Sequence, residues 1–104
     1  MKRSVGDLVK WDGVNSRGRI TRRTGVIVSV VPRKEVPKAP ELFPDAKAVY
    51  GNEVRALESY LVLSEDHEGR QYLYWPRSNT LASLEQDRGK YVKIINVLKE
   101  NALC

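Results

Sequence analysis

The sequence predicts a mainly β domain built from about five short antiparallel strands, a long proline-containing loop and a C-terminal helix. Three observations carry that expectation. Valine-rich or alternating apolar segments recur at strand length. Clusters of glycine, proline, asparagine and aspartate separate them. Apolar residues at helical spacing are confined to the segment after Gly89. A chain of 104 residues split in two would leave each half too little interior to fold, so 1–104 reads as one domain. Its β body covers about residues 5–85 and its C-terminal segment 89–104.

The first strand runs to Trp11, with Val9 and Trp11 two apart as a half-buried strand requires. Asp12-Gly13 is a turn signal, and Val14 to Arg23 reads as an exposed basic loop or hairpin tip. Thr24 to Val31 is a β-branched run that a sheet favours over a helix, and Pro32 ends it. Pro37, Pro40 and Pro44 punctuate a connection reaching about Glu53, with room for one helical turn around Glu41 to Ala46. A loop of this length is either mobile or functional.

Arg55 to Ser64 is the third strand, with Leu57, Ser59, Leu61 and Leu63 on one face and Glu58, Tyr60 and Val62 on the other. Glu65-Asp66-His67-Glu68-Gly69 is a polar turn into a fourth strand, Arg70 to Trp75, which Pro76 stops. Leu81 to Glu85 fits either a short closing strand or a single helical turn, and Ser83 with Gln86 has the spacing of a capping box. Tyr91, Ile94, Ile95, Leu98 and Ala102 then recur at helical spacing. The β-branched density of Val92, Ile94, Ile95 and Val97 would also suit a last strand, but helix is the better reading.

The opening Gly6-Asp7-Leu8-Val9, the second strand Thr24-Gly25-Val26-Ile27-Val28 and the ending Tyr72-Leu73-Tyr74-Trp75-Pro76-Arg77 resemble SH3-like small β-barrels, nearest the KOW-type and Tudor-like domains. The resemblance implies a small barrel over about residues 5–85 that binds rather than catalyses. Two departures stand out, because the insertion from Pro32 to Glu53 and the segment from Gly89 are both larger than such a barrel needs. The acidic and aromatic motif with which signalling SH3 domains hold proline-rich peptides is not visible.

The net charge of +5 is unevenly spread. Residues 1–38 hold ten Lys or Arg against three acidic side chains, and residues 39–104 hold eight against ten. Such asymmetry marks either a face for a polyanion or acidic protein, or simply a solvated surface. Arg17, Arg19, Arg22 and Arg23, with Lys10 behind them, are the candidate phosphate contacts, since arginine's planar fork pairs with phosphate oxygens. Tyr72 and Tyr74 share one strand face and offer stacking platforms, while Trp75 lies on the other; core packing is the commoner fate of such rings. Trp11 reads as structural.

Catalysis is not expected. Glu65, Asp66, His67 and Glu68 are consecutive and cannot converge on one substrate, and no nucleophile accompanies them. A single histidine, His67, and a single cysteine, Cys104, cannot assemble the usual zinc sets or an internal disulfide, so no metal or cofactor is expected and a reducing, cytoplasmic setting fits. No membrane span is expected either. The leading expectation is therefore a non-enzymatic barrel that contacts nucleic-acid phosphates. The alternative is an adaptor or inhibitor that binds an acidic protein surface through the same face or the long loop. The stripe Tyr91, Ile94, Ile95 and Leu98 docks on the chain's own body or serves a homodimer.

Overall fold

The computed structural model describes residues 3–38, 40–84 and 89–102. Six strands alternate with loops: β1 (Leu8–Val14), β2 (Ile20–Val31), β3 (Lys47–Ala48), β4 (Ser59–Glu65), β5 (Gln71–Tyr74) and β6 (Ala82–Ser83). A 3-10 turn, Ser78–Thr80, precedes β6, and one helix, α1 (Val92–Ala102), follows it. The strands form one sheet in the order β3-β5-β4-β2-β1-β6.

The expected closed set of about five antiparallel strands is corrected in two respects. β3 pairs with β5 in parallel, so the sheet is mixed, and β3 and β6 remain its two edges, so it does not close into a barrel. The extra strand comes from the long connection. Instead of a helical turn at 41–46, two successive turns form there, with Phe43 N donating to Pro40 O and Ala46 N to Phe43 O. Pro44 has no N–H with which to continue a helix, and the chain leaves extended along β5.

Both faces of the sheet are buried at its centre. On one face Leu8, Val26, Val28, Leu61, Leu63 and Leu73 pack under Phe43, Trp75 and the helix. On the other, Val9, Trp11, Ile27, Tyr60, Val62 and Leu81 form a second cluster. The sheet coils around that second cluster. Trp11 of β1 and Tyr74 of β5 are three strand steps apart, about 14 Å in a flat sheet, yet their ring centroids lie 5.6 Å apart. A bulge between Ile27 and Ser29 adds to the local twist. Arg3 bridges part of the open side: its N–H donates to Tyr60 Oη, and its guanidinium donates to Ser83 Oγ and Leu81 O.

The ambiguous segment after Leu81 is a strand, since Ala82 and Ser83 pair with Lys10 and Val9. Glu85 and Gln86, and with them the capping-box spacing, lie outside the described residues, as does Cys104. The third strand begins at Ser59 rather than Arg55, and Leu57 is 75% exposed instead of joining a core face. Arg55 explains the delay, because its guanidinium donates to Trp75 O and Pro76 O while its own carbonyl accepts from Lys34 N. Those bonds hold the chain as a crossing loop instead of a sheet partner.

The C-terminal segment is helical, and its apolar stripe is used within the chain. Tyr91, Ile94 and Leu98 are buried and Ile95 is half-buried against the sheet, so the homodimer expectation loses its surface. The Tyr91 hydroxyl donates to Thr24 O at 3.1 Å, and Thr24 Oγ1 lies 3.0 Å from the same hydroxyl. No helix among the described residues is long and apolar enough to cross a membrane.

Gly25 is where the sheet's two central hairpins come closest. A Cβ there would lie 2.6 Å from Leu63 O and 2.5 Å from Val62 Cγ1, a contact that backbone cannot yield cheaply. Gly25→Ala is therefore expected to destabilise the fold by about 1–3 kcal/mol, read as a lowered urea midpoint with an unchanged m-value.

Candidate nucleic-acid interface

The β1–β2 hairpin reaches beyond the shared sheet. β1 pairs with β6 only at Val9 and Lys10, and β2 pairs with β4 only from Val26 onward. Between those limits and the tip, Trp11–Val14 and Ile20–Arg23 pair only with each other among the described residues. The result is a two-stranded arm. The basic segment expected as a loop or hairpin tip is the tip of this hairpin, with Val14 and Ile20–Arg23 as strand and 15–19 as the turn.

That turn is tightly bonded. Asn15 N donates to Arg19 O, Gly18 N donates to Asn15 O, and the Asn15 side-chain oxygen accepts from Arg17 N and Arg19 N. Gly18 sits at φ 77°, where glycine carries no steric cost. The second hairpin repeats the device: Asp66 accepts from Glu68 N and Arg70 N, and Gly69 sits at φ 84°. Asn-Ser-Arg-Gly-Arg and Asp-His-Glu-Gly-Arg are two spellings of one turn.

Pairing register then sorts the cations. Lys10 faces Thr24, Asp12 faces Arg22 and Val14 faces Ile20, all on the ribbon face that continues from Leu8 and Val26. Trp11 with Arg23 and Gly13 with Thr21 occupy the opposite face. Arg22 and Arg23, adjacent in sequence, therefore point to opposite sides. Arg22 is exposed and its Nε lies 3.1 Å from Asp12 Oδ1. Arg23 turns inward: it donates to Tyr74 Oη at 2.7 Å, stands 4.8 Å from that ring's centroid and lies across Gly13, where a Cβ would collide with it.

Of the candidate contacts, Arg17 and Arg19 are exposed at the tip, and neither they nor half-buried Lys10 have an ion-pair partner among the described residues. Lys10 and Arg22 share one ribbon face, and Arg17 and Arg19 stand beyond them in the turn at the tip. Arg23 and Tyr74 belong instead to a packing cluster with Trp11. Tyr72 stands beside Tyr74, its ring centroid 6.4 Å away. Trp75 lies on the other face, as alternation requires, and its indole N–H donates to Ser59 Oγ.

A second concavity went unread in the sequence. A cleft of about 570 Å³ lies between residues 49–57 and the stretch from Trp75 to Asn79. Arg55 stacks 4.1 Å from the Trp75 ring centroid and Tyr50 meets that ring edge-on. Burial, then the neighbouring Arg77 charge, hold the Arg55 guanidinium below its ordinary pKa against the opposing pull of Glu53. The available signal was the arginine pair Arg55 and Arg77 flanking an aromatic, but the whole β4–β5 hairpin separates its parts and only folding joins them.

The acidic run at 65–68 is part of the turn between β4 and β5, bonded through Asp66. Among the described residues no group of three or more His, Cys, Asp and Glu is gathered to hold a metal ion. Comparisons with protein-family models, curated proteins and solved structures found no match.

Asp66 offers a pH test of the turn. Desolvation pushes its carboxyl upward, but N–H bonds from Arg70 and Glu68 and the nearby Arg70 and His67 charges outweigh it and leave its pKa below the usual value. A lowered folded-state pKa contributes stability above the unfolded value, about 3.9, that is lost as pH falls through the folded one. Asp66→Ala should lower the urea midpoint at pH 7, and the gap to the parent protein should close as pH falls below about 4.

Proposed function

We propose that this chain is a non-catalytic binding module, SH3-like in its coiled but open sheet, that binds nucleic-acid phosphates through the β1–β2 arm. Supporting the SH3-like reading are the antiparallel run β1-β2-β4-β5, the return of β6 to β1 after a 3-10 turn, and the coiling that brings Trp11 onto Tyr74. The observation that carries the binding reading is the tip itself. Arg17 and Arg19 are held on a bonded turn, exposed and without an ion-pair partner among the described residues, at the end of a ribbon whose one face adds Arg22 and Lys10. Guanidinium groups held by a stiff backbone lose little freedom on meeting phosphate, so their release of counterions is retained as affinity.

The salt dependence of binding tests this reading and separates the arginines. Each phosphate contact contributes a slope of roughly −0.9 in log affinity against log salt, so Arg17→Ala with Arg19→Ala should flatten the slope by about 2. Arg23→Ala should leave the slope unchanged, since that guanidinium is spent on Tyr74. Absence of binding to DNA and RNA at low salt would end the proposal.

The cleft favours a second reading, a protein-interaction module for an acidic partner. Val49, Val54 and Leu57 are exposed along it, and the Arg77 guanidinium beside them has no ion-pair partner among the described residues. Leu57→Asp with Arg77→Glu should then abolish capture of a partner from nuclease-treated lysate while leaving nucleic-acid binding intact. Loss of nucleic-acid binding in that variant would place the phosphate contacts at the cleft instead of the arm.

A further inference from the structure

The arm carries, next to its arginines, two apolar side chains that the fold does not use. Val14 and Ile20 are the last paired residues before the turn, directly opposite each other on one ribbon face. They are 65% and 75% exposed, among the most exposed large apolar residues described. Neither contributes to either core cluster. Arg17 and Arg19 follow on the tip side, and Arg22 and Lys10 follow on the body side of the same face. An aliphatic pair is thus bracketed by cations.

We propose that Val14 and Ile20 form a wedge that enters between base steps of duplex DNA from the minor groove and kinks it, while the flanking arginines grip the phosphates. The proposal rests on the phosphate-binding reading of the arm and names its substrate. Charge selects a polyanion, and the residue type selects a duplex within that class. Valine and isoleucine have no π-face on which an unpaired base can stack, so single strands would leave them with little to do. Between the steps of a duplex, by contrast, apolar wedges are buried, and the cost of unstacking is recovered from contacts that the bend permits. The arm's aromatic residue, Trp11, is not available for stacking, because it is packed edge-on with Tyr74, over which Arg23 lies.

Rigidity completes the case. A wedge must hold its shape while it separates bases, and an isolated two-stranded ribbon is marginally stable in water. Here the turn is locked by Asn15, the middle by the Asp12–Arg22 pair, and the base by Trp11, Tyr74 and the Thr24–Tyr91 bonds.

The test uses the full chain and a duplex of about 25 base pairs that carries end-labelled donor and acceptor dyes and 2-aminopurine at successive steps. Wild type should shorten the end-to-end distance, raise 2-aminopurine emission at one step and prefer the duplex over a single strand of the same sequence. Val14→Ser with Ile20→Ser should abolish both signals and weaken binding about tenfold, with the salt slope kept. Both positions are exposed, so a native circular dichroism spectrum and urea midpoint are expected of this variant, and Val14→Ile with Ile20→Val should restore bending. Binding with a normal salt slope but no bend and no emission change overturns the wedge and leaves the phosphate reading standing. Equal or tighter binding to the single strand, or to duplex RNA, also overturns the wedge. No binding to any nucleic acid overturns both.

Discussion

Burial of β2 and β4 on both faces is the constraint from which the rest of the structure follows. Val26, Ile27 and Val28 on one strand and Tyr60, Leu61, Val62 and Leu63 on the other are all withdrawn from water, although side chains alternate between faces along each strand. A sheet with two apolar faces needs two covers. The chain supplies one by laying α1 and the Phe43 loop over the Leu61 side, and the other by coiling the sheet on itself around Val62. Gly25 of β2 has no room for a side chain against Val62 and Leu63 of β4. Coiling and helix docking are thus one solution, and a change at the centre is felt on both faces.

The arm inherits its stability from that body. Beyond Lys10 and Thr24 its strands have no sheet neighbours among the described residues, so each bond along it must be supplied locally or by contacts from its base. Both sides contribute. Under the concave face, Tyr74 receives Trp11 edge-on and accepts from Arg23. On the convex face the Tyr91 hydroxyl, carried by the start of the helical segment, bonds Thr24. Arg23 is best understood in this setting as a structural cation. Its guanidinium is half-buried between a tyrosine ring and a glycine, an arrangement in which planarity and weak hydration favour arginine over lysine.

Much of this was legible residue by residue, and the failures share a cause. The β-branched run at 24–31, the polar turn at 65–69 and the helical spacing after Gly89 announced their structures because each signal is local. The separation of Tyr74 from Trp75 onto two faces followed from strand alternation alone. What could not be read was long-range. Whether Ala82 and Ser83 are strand depends on Val9 and Lys10 offering an edge, and whether Lys47 and Ala48 are strand depends on β5. Leu57 looked like a core residue by its period, yet Arg55 two positions earlier is pinned to the carbonyls of Trp75 and Pro76, which swings the segment out of register. Val14 to Arg23 read as a loop or hairpin tip because arginines outnumber apolar residues there; it is the tip of the β1–β2 hairpin, and how far the strands run into it is set by register with β1.

Register also decides which positive charges act together, and this is where function meets fold. Four arginines within seven residues look like a single cluster in the sequence, but a period of two divides any strand-borne pair between opposite faces. Arg22 goes outward with Lys10; Arg23 goes inward to Tyr74. Only the turn escapes the alternation, and there the backbone bonds to Asn15 fix where Arg17 and Arg19 depart from the ribbon. The cationic surface that results is smaller than the composition of residues 1–38 suggests, and it is directional. It lies at the end of an arm whose base is held from both sides, by Trp11 and Arg23 against Tyr74 and by Thr24 against Tyr91. A charged arm with an apolar edge suits a partner that is polyanionic outside and stacked within.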